Sequence, residues 1–64
     1  MNVYIIRCES YWGDGEHIGG NTQGVYATKE LAEQTVKELP IWEDNNGWLW
    51  RNEYLITEHE VQGV

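Results

Sequence analysis

Asp14, Glu16 and His17 crowd into one short stretch, and with His59, Glu58 or Cys8 they are the residues from which this chain would assemble a metal site. Zinc sites use paired ligands at short spacing, such as two Cys or two His a few residues apart. Here the histidines stand far apart and there is a single cysteine. A calcium loop needs oxygens at alternate positions and a distal glutamate, which the stretch lacks. Gly13-Asp14-Gly15-Glu16-His17 and Gly19-Gly20-Asn21-Thr22-Gln23-Gly24 have the glycine density of a phosphate loop. They have no Gly-Lys-Ser/Thr ending, no nearby cation and no immediate helix, so they read as a hairpin tip. Catalysis needs a nucleophile and base in contact, or two carboxylates in different environments, inside a pocket. A chain of 64 residues leaves little room for one. The reading is of a protein that is not an enzyme and carries no metal or cofactor.

The constellation that remains is acid plus indole. Glu9, Asp14 and Glu16 flank the first loop, Glu43 and Asp44 precede a turn, and Glu53, Glu58 and Glu60 lie on the last strand. Glu58 and Glu60 share a strand face at roughly 6–7 Å, a density of negative charge comparable to a nucleic-acid strand. Trp12, Trp42, Trp48 and Trp50 exceed what so small a core hides. Indole is a favoured interface anchor, and Trp48 and Trp50 are the candidates. The bland reading has two or three of these rings capping an open sheet face. Glu33 and Lys37 are expected to pair at i,i+4 beside Glu30, which makes the helix a poor anionic surface.

Eleven Asp and Glu against four Lys and Arg give a net charge of −7. Such a chain repels nucleic acid and anionic lipid, since a binder must set cations on phosphates. It is drawn instead to basic protein surfaces, unless the acidity serves solubility alone. One cysteine allows no intrachain disulfide, which fits a reducing compartment. Cys8 reads as a small buried apolar residue, with Arg7 turned to the opposite strand face. No run approaches the roughly 20 apolar residues of a membrane span, and no signal peptide opens the chain. A cytoplasmic protein is expected.

Gly24 to Pro40 supplies the organising element. Thr28 is an N-cap, Glu30 suits the positive end of the helix dipole, and Leu31, Ala32, Thr35, Val36 and Leu39 form one apolar stripe. Pro40 ends the helix at Leu39. Asn2 to Glu9 is a β-branched and aromatic run and forms strand one, with Tyr4, Ile6 and Cys8 on one face and Val3, Ile5 and Arg7 on the other. Ser10 to Gln23 reads as a long hairpin connection, or as one into which a frayed strand extends through Glu16 to Ile18, with a short second strand from about Gln23 to Ala27. Residues 41–47 read as a loop whose Asn46-Gly47 is the sharpest turn signal. Trp48 to Val61 is strand again, one bent strand or two divided at Asn52, and the tail Gln62-Gly63-Val64 frays. This is a single α+β domain over residues 1–64, a three-stranded antiparallel sheet of order 2-1-3 with one helix on one face. A division at Asn52 makes the sheet four-stranded. Core candidates are Ile6, Tyr26, Leu31, Val36, Leu39, Leu55 and Ile56. Both faces of strand one begin apolar, so the face without the helix needs cover from loops or from a partner subunit.

Val3-Tyr4-Ile5-Ile6, a Gly/acidic loop, and Gly24-Val25-Tyr26-Ala27-Thr28 running into Glu30-x-Ala32-Glu33-x-x-Val36 resemble a family of small bacterial and phage domains of unknown function. Gly47-Trp48 and Tyr54 match its Gly-aromatic turn and Tyr-containing last strand. The likeness covers about two thirds of the chain, implies the β-β-α-β fold, and carries over no active site. The tryptophan-rich segment 42–50 departs from it. In size and acidity the chain also looks like phage counter-defence proteins of the anti-CRISPR type, which occupy nucleic-acid sites on host enzymes.

These readings lead to an inhibitor-like interaction protein. It would occlude the basic surface of a larger nucleic-acid-handling protein, for example a CRISPR effector, through Glu9, Asp14, Glu16, Glu43, Asp44, Trp48, Trp50, Glu53, Glu58 and Glu60. The competing reading is a self-associating structural or regulatory module, a homodimer joined through the open sheet face with Trp48 and Trp50 buried.

Overall fold

A computed structural model describes residues 1–62. The elements run β1 (Asn2–Trp12), β2 (His17–Tyr26), α1 (Lys29–Glu38), β3 (Trp42–Asn45) and β4 (Trp48–Glu60). They form one four-stranded antiparallel sheet of order β2-β1-β4-β3, with α1 on one face. The expected arrangement survives at the centre, because β2 and the long last strand flank β1. It is corrected at the edge, where 42–45 is a strand and not a loop. Asn46 (φ 54°) and Gly47 (φ 86°) occupy the left-handed region together, the geometry of a two-residue primed turn that needs a strand on each side.

Two other boundaries move. β1 runs on to Trp12 and β2 starts at His17, so the long connection shrinks to a tight turn. Trp12 N–H donates to Glu16 O and Gly15 N–H to Trp12 O, both at 2.8 Å, and Gly15 takes φ +97°. That is a three-residue hairpin loop closed by a left-handed glycine. Gly20 and Gly24 persist inside β2 because neighbours occupy the space of their missing side chains. The Glu9 carboxylate lies over Gly20, and a Cβ on Gly24 would stand 2.7 Å from Tyr26 Oη. β4 is also continuous, and Asn52 does not break it. Asn52 is 4% exposed and bonded on several sides.

α1 follows its signals. Thr28 Oγ1 accepts from Leu31 N–H at 3.2 Å, and Leu39 leaves helical geometry before Pro40. The stripe is rotated from expectation: Ala32 is buried, Thr35, Val36 and Leu39 are half-buried, and Leu31 is exposed. Alanine at the contact lets the helix approach the sheet closely. The ion pair on the helix is Lys29–Glu33 at 3.9 Å, in place of the expected Glu33–Lys37.

Register assigns the two faces. Tyr4, Ile6, Cys8, Ser10 and Trp12 of β1 pair with Glu58, Ile56, Tyr54, Asn52 and Trp50 of β4 on the helix face. Ile6, Cys8 and Ala32 are the buried apolar residues among those described, and Tyr54 Oη donates to Pro40 O at 2.6 Å beneath the end of α1. Val3, Ile5, Arg7, Glu9 and Tyr11, with Val25, Leu55 and Trp42, lie on the other face, which α1 leaves open. Leu55, an expected core residue, is 60% exposed there. The helix covers only the half of its face nearest Tyr4–Cys8, because ten residues are short beside a 47 Å molecule. The fraying expected at Gln62-Gly63-Val64 falls, for Gly63 and Val64, outside the described residues. No helix is long and apolar enough to cross a membrane among the described residues.

Candidate functional site

The uncovered half of the helix face ends in two adjacent turns. In the first, Asp14 Oδ1 accepts from Glu16 N–H at 3.0 Å; in the second, Asp44 Oδ1 accepts from Gly47 N–H at 3.1 Å. Gly13 N–H donates to Leu49 O at 3.2 Å and ties the turns together. Asp14-Gly15 and Asn46-Gly47 thus close the two hairpins, and Asp14 and Asp44 set a carboxylate at each.

Behind the turns three indoles meet. Trp12 pairs with Trp50 across β1 and β4, with ring centroids 6.2 Å apart in an edge-to-face arrangement. Trp12 also lies 5.6 Å from Trp48. Trp50 Nε1–H donates to Glu43 Oε2 at 3.1 Å, and Asn52 Nδ2–H donates to the same oxygen at 2.7 Å. Ser10 Oγ–H donates to Asn52 Oδ1 at 2.7 Å, and Asn52 Nδ2–H also reaches Pro40 O at 3.2 Å. This network fixes Trp50, while Trp48 remains 65% exposed. Trp12, Gly13, Asp14, Glu16, Trp48 and Leu49 line a shallow open cleft.

The expected site residues divide three ways. Asp14, Glu16, Glu43, Asp44, Trp48 and Trp50 gather at this end. Glu9 and Glu53 sit on the open face as ion-pair partners, with Arg7 Nη2 3.2 Å from Glu9 Oε1 and Arg51 Nη1 2.8 Å from Glu53 Oε1. Glu58 and Glu60 are at the far end of β4, opposite Tyr4 and Asn2, and Glu58 accepts from Asn2 Nδ2–H. The eight expected carboxylates therefore stand as two ends and a paired centre, not as one surface. The expected caps of the open face are corrected too: Trp12, Trp48 and Trp50 lie on the helix face, and Trp42 is the indole on the open one. Trp12 was absent from the sequence-derived set, and extending the alternation of β1 past Ser10 would have found it.

On the open face a row crosses all four strands: Trp42, Arg51, Tyr11 and His17. The Arg51 guanidinium stands 5.4 Å from the Tyr11 ring centroid, and Tyr11 and His17 rings are 5.1 Å apart. His17 Nε2 lies 2.7 Å from Glu9 Oε2. This hydrogen bond first, and that from Arg7 second, hold the Glu9 carboxyl below its ordinary range. Burial chiefly, with the Glu43 carboxylate adding to it, pushes the Tyr54 phenol up. Cys8 is buried on the helix face, 3.7 Å from Ser10 Oγ, across the sheet from His17. Among the described residues no cluster of three or more His, Cys, Asp or Glu is arranged to hold a metal ion.

Residues 1–64 match the family described as Domain of unknown function (DUF7336). The chain belongs to that family. Membership over the full length agrees with the small domain that the Gly24–Thr28 strand end and its following helix resembled. Neither the curated proteins nor the solved structures contain a match to this DUF7336 member.

Proposed function

We propose that this domain is an interaction module whose tryptophan-tipped end docks on a basic surface of a larger protein and excludes the polyanion, nucleic acid included, that such a surface holds. The observation that carries the reading is Trp48. A large ring 65% exposed, backed by Trp12, stands beside the Asp14 and Glu16 carboxylates and next to the turn that carries Asp44. An indole on a rigid support loses little freedom on binding, and a surrounding acidic rim steers basic partners toward it. Both lysines are on α1, away from the rim. The neutralised pairs at Glu9 and Glu53 take no part, and Glu58 and Glu60 add only long-range attraction.

The test is competition. Immobilised protein is challenged with candidate nucleic-acid-binding proteins, and retention is measured against rising salt and against added DNA. Retention should fall with salt, fall with DNA, and be lost in Trp48→Ala and in the Asp14→Asn/Glu16→Gln pair. Salt-insensitive retention, or retention indifferent to these substitutions, overturns the reading.

A further inference from the structure

We infer that the open sheet face is the contact of a two-fold homodimer, two sheets packed face to face with α1 outermost on each side. Three observations carry this. The first is the thin core: Ile6, Cys8 and Ala32 are the buried apolar residues among those described. Chains of this length that lack core gain stability by oligomerising, among other routes.

The second is area and chemistry. The face extends along a molecule 47 Å long and 20 Å wide, on the order of the roughly 800 Å² each partner gives to a standard interface. It exposes Val25 (59%), Leu55 (60%) and Trp42 (53%). Val3 and Ile5 sit half-buried between them. Sheet faces pack about 10 Å apart by interdigitating such residues.

The third is charge. Two copies at −7 each repel, so contact is favoured only where carboxylates are matched. Both arginines of the chain are on this face, each bonded to a glutamate two residues along its own strand: Arg7 with Glu9 and Arg51 with Glu53. A two-fold axis that crosses β1 between Arg7 and Glu9 sets Arg7 of each copy against Glu9 of the other. The remaining acids stay at the ends and on the helix side, clear of the contact.

The surface is separate from the tryptophan end, and salt distinguishes the two. Screening weakens docking to a basic partner and strengthens association of two acidic copies. Sedimentation or light scattering over protein and salt concentration tests the inference. The expected result is a particle of twice 7.5 kDa, more populated at high salt. Leu55→Glu on β4 and Val25→Lys on β2, across β1 from it, should each weaken the dimer by more than about tenfold, since both bury an unmatched charge. Their far-UV circular dichroism should remain that of the parent, because both side chains are exposed in the single chain. Trp48→Ala should stay dimeric. A 7.5 kDa particle at every concentration and salt, or a dimer that survives both open-face substitutions, overturns the inference. Loss of the dimer in Trp48→Ala alone would place the contact at the tryptophan end instead.

Discussion

Glu43 and Trp50 face each other across the β3–β4 ladder, and the indole N–H donates to the Glu43 carboxylate at 3.1 Å. The same oxygen receives Asn52 Nδ2–H at 2.7 Å. One carboxylate therefore holds an indole against Trp12 and satisfies a buried amide, so it is committed to the fold before any partner arrives. Asn52 is the hub, linking β1 through Ser10, β4 on which it sits, β3 through Glu43, and the end of α1 through Pro40.

Removing Asn52 should be expensive. Asn52→Ala takes one partner each from Ser10 Oγ, the Pro40 carbonyl and the inner Glu43 oxygen in a part-buried site. The expected cost is about 2–3 kcal/mol, a fall in Tm of roughly 10–20 °C for a domain this small. Thermal unfolding followed by circular dichroism measures it. Asp44→Asn, whose partner is an exposed turn amide, should move Tm by only a few degrees.

Ile6 and Leu55 look alike in sequence, both apolar residues in strands, and should behave differently. Ile6 is fully buried and Leu55 is 60% exposed. Ile6→Ala should cost about 2–5 kcal/mol through lost burial and the cavity left behind. Leu55→Ala should cost less than about 1 kcal/mol in the monomer. Urea titration below the dimer concentration separates them.

That contrast marks how far sequence reaches here. α1 was legible because Thr28, Ala32 and Pro40 each act within a few residues, and β1 because its β-branched run is local. Leu55 and Ile56 were not separable, since alternation says that they face opposite ways but not which way carries the helix. β3 was missed because Trp42-Glu43-Asp44-Asn45 has weak strand propensity and gains its pairing from the Asn46-Gly47 turn. The division of the acids was also hidden. Glu9, Glu43 and Glu53 look as free as Glu16 until register sets Arg7, His17, Trp50 and Arg51 beside them.

Gly47 carries a second measurable consequence of that turn. At φ 86° any L side chain crowds its own backbone, although nothing else lies within 4 Å of the added Cβ. Gly47→Ala should therefore cost about 1–2 kcal/mol from conformation alone. Thermal unfolding of the variant measures it, and a Tm equal to that of the parent would contradict this.

Glu9 provides the pH dependence. His17 and then Arg7 donate to its carboxylate and lower its pKa below the ordinary 4.5. A depressed carboxylate stabilises the fold above its unfolded value, and that contribution disappears as pH falls through the folded value. Near neutrality Glu9→Gln should therefore unfold at lower temperature than the parent. The gap should close on acidification below the ordinary carboxylate range, where Glu9 is itself protonated and amide-like. The carboxyl chemical shift of Glu9, followed by NMR, gives the midpoint directly. In His17→Ala that midpoint should rise toward the ordinary value without reaching it, because Arg7 still donates. An unchanged midpoint would assign the depression to Arg7 and remove His17 from the pair.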